Sequence, residues 1–364
     1  MFPTLLLGQS FLLAALATPR LLPVKEPPTI QAQALDLMRL GKEESSPGLR
    51  RRYLQAASDF LFRYWSERAA GQGVSLVKPQ LLFEGERLSG CGGAEVKHPT
   101  ALYCTKSQEI AMALDLRRAV KAARGLGEQE LLSMDLAVLA HEWGHHANRS
   151  LGLGPYKSGF SLTVKQEELA ADWRTGQVLG SLLGYGAMDI DGFTRSANLM
   201  FELGDYEFIA PGHHGYPKER FEALAAGLAK ELTPGQRLGT WSFDTRETFS
   251  RPLADSGNGE FLATGRKLYE VQRFEIDRTN QVATNLIGGV LGAMSCIWGS
   301  RDQCLGMAMQ QGKGRAYGRY VSARLSLDCI SGRFDVTEDG FEAQPIDRDG
   351  KRQAALLAQR DCQP

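Results

Sequence analysis

The sequence predicts an α+β fold that is mostly helical, with one small sheet and an appended C-terminal region. Apolar residues recur at helical spacing in several long segments on both sides of residues 79–116. Within 79–116 this spacing is lost, and short apolar runs between glycine-rich turns are typical of strands. After Pro234 the segments become arginine-rich and turn-rich. We therefore expect residues 235–364 to be a self-contained region of unknown role. The function of the preceding residues is not expected to require it.

The N-terminal part is predicted to contain two helices. Four prolines in residues 18–28 indicate an extended linker, so 18–48 is interpreted as this linker plus a helix from Thr29 to Leu40. A second helix is predicted from Leu49 to Ala70. Its apolar stripe has helical spacing and indicates core packing, with the members Tyr53, Ala56, Phe60, Tyr64 and Trp65.

Three short strands and four further helices are predicted downstream. The strands cover 80–83, 100–104 and 109–114. The helices cover 116–124, 128–149, 164–183 and 217–232. Pro217 at the start of the last helix and Pro234-Gly235 after its end are a start signal and a stop signal.

Composition and charge exclude several classes of protein. Hydrophobic residues make up 43% of the chain and charged residues 23%, which is typical of a globular protein. Lysine plus arginine and aspartate plus glutamate number 42 each, so the formal net charge is zero. A neutral chain lacks the basic surface that nucleic acid requires, and no nucleic acid partner is expected.

The first residues favour export. Residues 1–17 are apolar and end in Ala15-Leu16-Ala17, the small-x-small form of a signal peptide cleavage site, although no lysine or arginine precedes the apolar run. The alternative is an N-terminal helix that packs on the body. A membrane span needs about 20 apolar residues. Neither 1–17 nor the apolar residues 283–299, which include Asn285, are expected to form one.

The six cysteines support the same compartment. None lies in a C-x-x-C pair, which argues against a structural zinc knuckle or a thioredoxin-like redox site. Disulfides favour an oxidising compartment, so the protein is expected to be periplasmic or secreted. The alternative is six buried thiols in a cytosolic protein. The simplest of the 15 possible connectivities is Cys91–Cys104, Cys296–Cys304 and Cys329–Cys362.

The main chemical signal is an H-E-x-x-H motif, His141-Glu142-Trp143-Gly144-His145, within a predicted helix. Residues four apart differ by only about 40° around a helix, so both imidazoles project from one face and can bind one zinc ion. Glu142 is rotated by about 100° from His141 and flanks the metal, where it can act as a general base. The alternative is a polar helix face whose histidines bond water or backbone.

A third ligand is predicted in the next helix. A catalytic zinc ion takes three protein ligands, and Glu168 can complete a two-histidine, one-glutamate site. Asp172 lies four residues further on the same face. From there it can accept the free N–H of a zinc-binding histidine and fix its orientation. The alternative is two solvated carboxylates on a surface helix.

The remaining histidines are interpreted with more caution. His146 points about 100° away from His145 and is expected to pack or to form hydrogen bonds. His214, or Tyr216 close by, can donate to the oxyanion that forms when water attacks a carbonyl. A purely structural role for this loop remains open.

These blocks resemble a bacterial family of neutral zinc metallopeptidases. The resemblance rests on His141-Glu142-Trp143-Gly144-His145-His146 and Glu168-Leu169-Ala170-Ala171-Asp172, supported by Cys91-Gly92 with Leu102-Tyr103-Cys104 and by His214-Gly215 with Arg220-Phe221. It covers roughly residues 50–232 and departs at Thr105, where the family tends to have proline, and at 110–112, where its strand is more aromatic. It implies a zincin fold, in which a small sheet packs on the active-site helix and a second helix carries the glutamate ligand.

The predicted function is zinc-dependent hydrolysis of peptide bonds by a metallopeptidase domain over residues 49–234. One Zn²⁺ per chain is expected, with a peptide or protein as substrate, and no oligomeric state is predicted. The alternative is a non-catalytic, zinc-containing peptide-binding or envelope-assembly factor. The large region 235–364 favours this alternative, whereas Glu142 argues against it, because a pure binding site needs no general base.

Overall fold

The protein is a mixture of helices and two sheets, in agreement with the predicted α+β class. The computed structural model describes residues 29–43, 48–152, 163–204, 214–253, 266–277, 317–331, 333–338 and 348–362. The helices are α1 (Ile30–Gly41), α2 (Leu49–Ala70), α3 (Leu116–Ala119), α4 (Glu128–Ser150), α5 (Val164–Gly184), α6 (Ile190–Glu202), α7 (Pro217–Glu231) and α8 (Arg348–Asp361). The strands are β1 (Gln80–Phe83), β2 (Thr100–Cys104), β3 (Glu109–Ala113), β4 (Arg237–Leu238), β5 (Trp241–Thr245), β6 (Thr248–Pro252), β7 (Arg266–Asp277), β8 (Tyr317–Asp328) and β9 (Phe334–Glu338).

Side chains cap several of the helices at their first turn. Thr29 accepts a backbone N–H at the start of α1, and Asp189 does so at the start of α6. At the start of α5, Thr163 and Gln166 each accept the backbone N–H of the other in a capping box. The sequence analysis did not predict α6, although Asp189 before an amphipathic stretch is the signal that could have found it.

The first sheet has the strand order β1–β3–β2, so β3 is central and the other two strands are its edges. β1 runs parallel to β3, and β2 runs antiparallel to it. All five residues of β3 are buried, which is typical of a strand covered on both faces. The three strands lie where the sequence predicted them, and α4 packs against β2 and β3.

Glycines allow three helices to approach closely. A Cβ on Gly144 would lie 2.8 Å from the carbonyl oxygen of Ala171, so the backbones of α4 and α5 are in contact there. Gly176 and Gly227 act in the same way between α5 and α7. At each of them a Cβ would lie 1.9 Å from a backbone oxygen of the facing helix. Only glycine fits at these crossings without displacing a helix.

The predicted helix over 116–124 is interrupted in the structure. α3 ends at Ala119, Val120 is extended, and a short 3-10 turn covers Lys121–Ala123. The Glu202 carboxylate of α6 accepts the backbone N–H groups of Lys121 and Ala122, at 2.6 and 3.2 Å. These contacts satisfy donors that a continuous helix would have used internally, which explains the break.

The second sheet is antiparallel, and its strands follow the chain order from β4 to β9. β7 and β8 pair along their full lengths, from Arg266 opposite Asp328 to Asp277 opposite Tyr317. α8 packs against this sheet, where the Gln353 side chain donates a hydrogen bond to the buried carboxylate of Asp244 in β5 at 2.8 Å.

The hydrophobic core crosses the predicted boundary at residue 234. Phe221 of α7 stacks on Phe274 of β7 with ring centroids 3.5 Å apart. Tyr320 of β8 packs edge-on against Phe193 of α6 at 5.7 Å. The C-terminal sheet therefore shares a core with the helical body, and the expectation of a self-contained region is corrected. The sequence concealed this because Phe274 and Tyr320 lie far along the chain from the helices on which they pack, and no local pattern connects them.

Two of the expected disulfides are present, Cys91–Cys104 and Cys329–Cys362. They are compatible with a secreted or periplasmic location. The expected pair Cys296–Cys304 lies outside the described residues, as do the predicted signal peptide 1–17 and the apolar segment 283–299. In the part of the chain that the structure describes, no helix has both the length and the apolar character needed to cross a bilayer.

Candidate metal centre

Helix α4 presents two histidines on one face. His141 and His145 are one turn apart, their ring centroids are separated by 4.8 Å, and their Nε2 atoms are 3.2 Å apart. Both side chains lie on the side of α4 that faces α5. The close α4–α5 crossing at Gly144, between the two histidines, is what brings α5 within reach of their rings.

Helix α5 supplies a carboxylate to the same point. The oxygens of Glu168 lie 3.0 Å from Nε2 of His141 and 3.4 Å from Nε2 of His145. The three residues offer ligand atoms that all lie within 4.8 Å of one another, so this group could hold a metal ion. Among the described residues, no other group of histidines, cysteines and carboxylates meets the same condition.

Asp172 and Arg220 lie behind His141 and are fully or almost fully buried. Asp172 Oδ1 accepts a hydrogen bond from Nδ1 of His141 at 2.8 Å, which turns Nε2 towards Glu168 and leaves it as the ring atom available to a metal ion. The guanidinium of Arg220 donates to both oxygens of Asp172, at 2.8 and 2.9 Å. The carboxylate of Asp172 is therefore held from two sides.

The charges of this group shift one another's pKa. Burial acts to lower the pKa of His141, but the carboxylates of Asp172 and Glu168 outweigh burial and raise it to about 10. Burial acts to raise the pKa of both carboxyls, yet His141 lowers that of Glu168, and Arg220 with His141 lowers that of Asp172. Both carboxylates thus favour the form of His141 that carries a second proton. A metal ion competes with that proton, so metal binding releases protons.

Glu142 is buried next to the two histidines along α4. Burial raises the pKa of its carboxyl, while the imidazoles of His141 and His145 act in the opposite direction. A carboxylate that gains from protonation in this way has the property that a general base needs.

The other histidines divide between the rim of the site and the packing of α4. His214, just before α7, is 54% exposed, and its Nδ1 lies 3.4 Å from an oxygen of Glu168. His146 instead hydrogen-bonds the Tyr103 hydroxyl at 3.0 Å and the Val77 carbonyl at 2.7 Å. It thereby ties α4 to β2 and to the chain before β1, which agrees with a packing role. His213 lies outside the described residues.

Arg220 is the residue of the site to which the sequence analysis gave no role. It lies 79 positions after His141, and no local spacing connects the two. One signal was available, because Arg220 shares a helix face with Leu224 and Leu228 at intervals of four residues. An arginine on an otherwise apolar face needs a buried partner.

Comparison with known proteins does not assign the chain to a family. No family model matches the chain, and neither the curated proteins nor the solved structures contain a match. The functional argument therefore rests on the residues of the site themselves.

Proposed function

We propose that the protein is a zinc-dependent endopeptidase. The observation that carries the proposal is the convergence of His141, His145 and Glu168 on one point beside Glu142. Ligand atoms about 2.0–2.1 Å from a tetrahedral zinc ion stand about 3.3 Å apart. The two Nε2 atoms are 3.2 Å apart, and Glu168 brings Oε2 to 3.0 Å from Nε2 of His141 and Oε1 to 3.4 Å from Nε2 of His145, so each contact is close to this spacing. Two imidazoles and one carboxylate are a donor set that leaves the fourth position of a catalytic zinc ion open.

The residues around this point have distinct roles in peptide hydrolysis. Zinc, when bound, supplies a Lewis acid that polarises the scissile carbonyl and lowers the pKa of a coordinated water to about 7. Glu142 takes the proton of the attacking water and delivers it to the leaving amine. Asp172 keeps His141 in the tautomer whose Nε2 is free. His214, at the exposed rim, donates a hydrogen bond to the oxyanion.

The edge of β2 is suited to an extended peptide. β3 pairs with one side of β2, and within the described strands no partner pairs with its other side. Tyr103 of β2 contacts His146 of α4, so this strand lies beside the helix that carries Glu142. Sheet edges bind extended peptides through backbone hydrogen bonds. This arrangement supports a peptide or protein substrate.

A secreted or periplasmic location belongs to the same proposal. The disulfides Cys91–Cys104 and Cys329–Cys362 support it, because structural disulfides persist in oxidising compartments. The first of them joins the end of β2 to the preceding loop, close to the strand edge on which the peptide is expected to bind.

The decisive test compares wild type with Glu142→Gln in the digestion of casein and of a peptide library. A general base contributes about 100- to 10,000-fold to the rate. We therefore expect turnover to fall by at least about 100-fold, while Zn²⁺ content stays at one per chain. Glu167→Gln is the matched control, because Glu167 is paired with Arg149 at the surface and not with the centre.

Each outcome of this test has a clear meaning. Undiminished turnover in Glu142→Gln would refute the assigned mechanism. A wild-type protein that holds zinc and binds peptides without cleaving them would refute the peptidase and favour a non-catalytic peptide-binding factor.

A further inference from the structure

Every nitrogen of the Arg220 guanidinium has a partner. Nε donates to Asp172 Oδ2 and one terminal nitrogen to Asp172 Oδ1. The other terminal nitrogen donates to the Leu203 carbonyl at the C-terminal end of α6, at 3.2 Å. One side chain thereby joins α5, α6 and α7 behind the metal ligands. A planar fork held at three points has almost no freedom to rotate.

Helix α7 is itself held in place on both sides. Gly227 and Gly176 set the backbone of α7 directly against that of α5. On the other side, Phe221, the neighbour of Arg220, stacks on Phe274 of the C-terminal sheet. The position of the guanidinium is therefore set by packing that extends beyond the metal centre.

The positive charge of Arg220 offsets negative charge of the carboxylates at the site. Three carboxylates belong to the centre, those of Glu142, Glu168 and Asp172. A divalent ion offsets two of the three negative charges. Arg220 offsets the third from within the protein, 2.8 Å from Asp172 and 3.6 Å from Glu168. Buried charges are tolerated when they are paired in this way.

We infer that Arg220 is a positioning residue of the metal centre, which clamps Asp172 so that its Oδ1 orients His141 for metal binding. Arg220 acts through Asp172 and not on the ion itself. The inference rests on the proposed zinc site and adds a residue that tunes its affinity. It does not require that the protein cleave peptides.

A double-mutant cycle on the dissociation constant for Zn²⁺ tests this inference. The constant is measured by competition with a chelating dye for wild type, Arg220→Met, Asp172→Asn and the double variant, at a temperature where circular dichroism shows each to be folded. Loss of a residue that orients a ligand weakens metal binding about 10- to 100-fold. Because Arg220 acts through Asp172, the double variant is expected to bind Zn²⁺ no more weakly than Asp172→Asn alone.

Arg220→Lys provides a second variant that keeps the positive charge and removes the planar guanidinium with its two hydrogen bonds to Asp172. A lysine donates from one point only and cannot span both oxygens of Asp172. We expect about tenfold weaker Zn²⁺ binding in this variant. We also expect the visible absorption bands of bound Co²⁺ to shift in the same direction as in Asp172→Asn, since both changes release His141.

Arg50→Met is the control for loss of an arginine–aspartate clamp, at a side chain that is 35% exposed where that of Arg220 is 4% exposed. Arg50 clamps Asp135 of α4 with the same two-bond geometry, at 2.6 and 2.7 Å, outside the metal centre. This variant is expected to melt at a lower temperature with an unchanged Zn²⁺ dissociation constant and an unchanged Co²⁺ spectrum.

The outcomes separate this inference from the proposed function. Independent, multiplicative losses in the cycle, or an Arg220→Lys protein that binds Zn²⁺ as wild type does, would overturn the role of Arg220 even if peptides are cleaved. Coupled losses in a protein that cleaves no peptide would support the clamp and refute the peptidase.

Discussion

Replacing Gly176 by alanine tests whether the α5–α7 crossing holds the candidate metal centre together. The new Cβ would lie 1.9 Å from the Leu224 carbonyl oxygen and 2.8 Å from the Leu228 nitrogen, both backbone atoms. To reach even the shortest normal separation, the helices have to move apart by about 1 Å. The crossing lies one turn from the Asp172–Arg220 pair on both helices, because Gly176 and Leu224 each follow a member of the pair by four residues.

The size of the effect follows from two opposing contributions. Overpacking costs about 1–3 kcal/mol, and the upper end applies because neither backbone atom can rotate away. The higher helix propensity of alanine offsets about 1 kcal/mol of this cost. A net loss of about 2 kcal/mol in the free energy of unfolding remains. With an unfolding entropy of about 2.1 cal/mol/K per residue, the expected fall in Tm is about 3 °C.

Thermal unfolding followed by circular dichroism measures this change, and chelator competition measures the accompanying loss of Zn²⁺ affinity, expected to be about tenfold. Gly184→Ala is the matched control on the same helix. Its new Cβ would meet only side-chain atoms, at 3.4 Å and beyond, so Tm is expected to stay or to rise slightly. A Gly176→Ala protein that has the same Tm as wild type and binds Zn²⁺ equally well would refute the reasoning.

Three further predictions concern the ligands, the first sheet and the shared core. His145→Ala is expected to lose Zn²⁺, because two remaining ligands do not hold the ion tightly, and full zinc content by elemental analysis would contradict the site. Burial acts to raise the pKa of Glu109, but hydrogen bonds from Ser107 and Ser89 outweigh it and lower the pKa below 4.5. The stability that Glu109 contributes is therefore present above about pH 4.5 and lost as pH falls further. In urea unfolding, the difference in the free energy of unfolding between wild type and Glu109→Gln should shrink in that range. A difference that does not depend on pH would contradict this prediction. A chain that ends at Thr233 is expected to be unfolded or insoluble because it loses the shared core, so a soluble fragment with native helicity by circular dichroism would show the core to be separable.

Local periodicity explains how much of the site the sequence predicts. His141 and His145 are four residues apart on one helix, and Glu168 and Asp172 are four residues apart on the next. A helix places such residues on one face whatever surrounds it, because the angle per residue is set by the backbone. The strands of the first sheet follow for a similar reason, since their short apolar runs are bounded by turn residues.

The second sheet shows two features that local sequence patterns do not predict, strand pairing and the extent of the core. β7 and β8 pair residue by residue across 39 intervening positions, and nothing within either strand indicates its partner. The boundary at residue 234 carries ordinary helix stop signals, yet Phe221 and Phe274 stack across it. Stop signals describe the local chain, whereas the extent of a core depends on which apolar surfaces meet.

The sequence by itself determined the chemical identity of the candidate ligands, their spacing on two helices and the position of the proposed general base, Glu142, between the histidines. Only the tertiary structure decided that these two helices cross at Gly144, so that Glu168 reaches both imidazoles. It also decided that Arg220, from a third helix, closes on Asp172. The physical reason is that residues a few positions apart are related by the fixed geometry of the backbone. Residues far apart in the chain are related only by the burial and close packing of the whole fold.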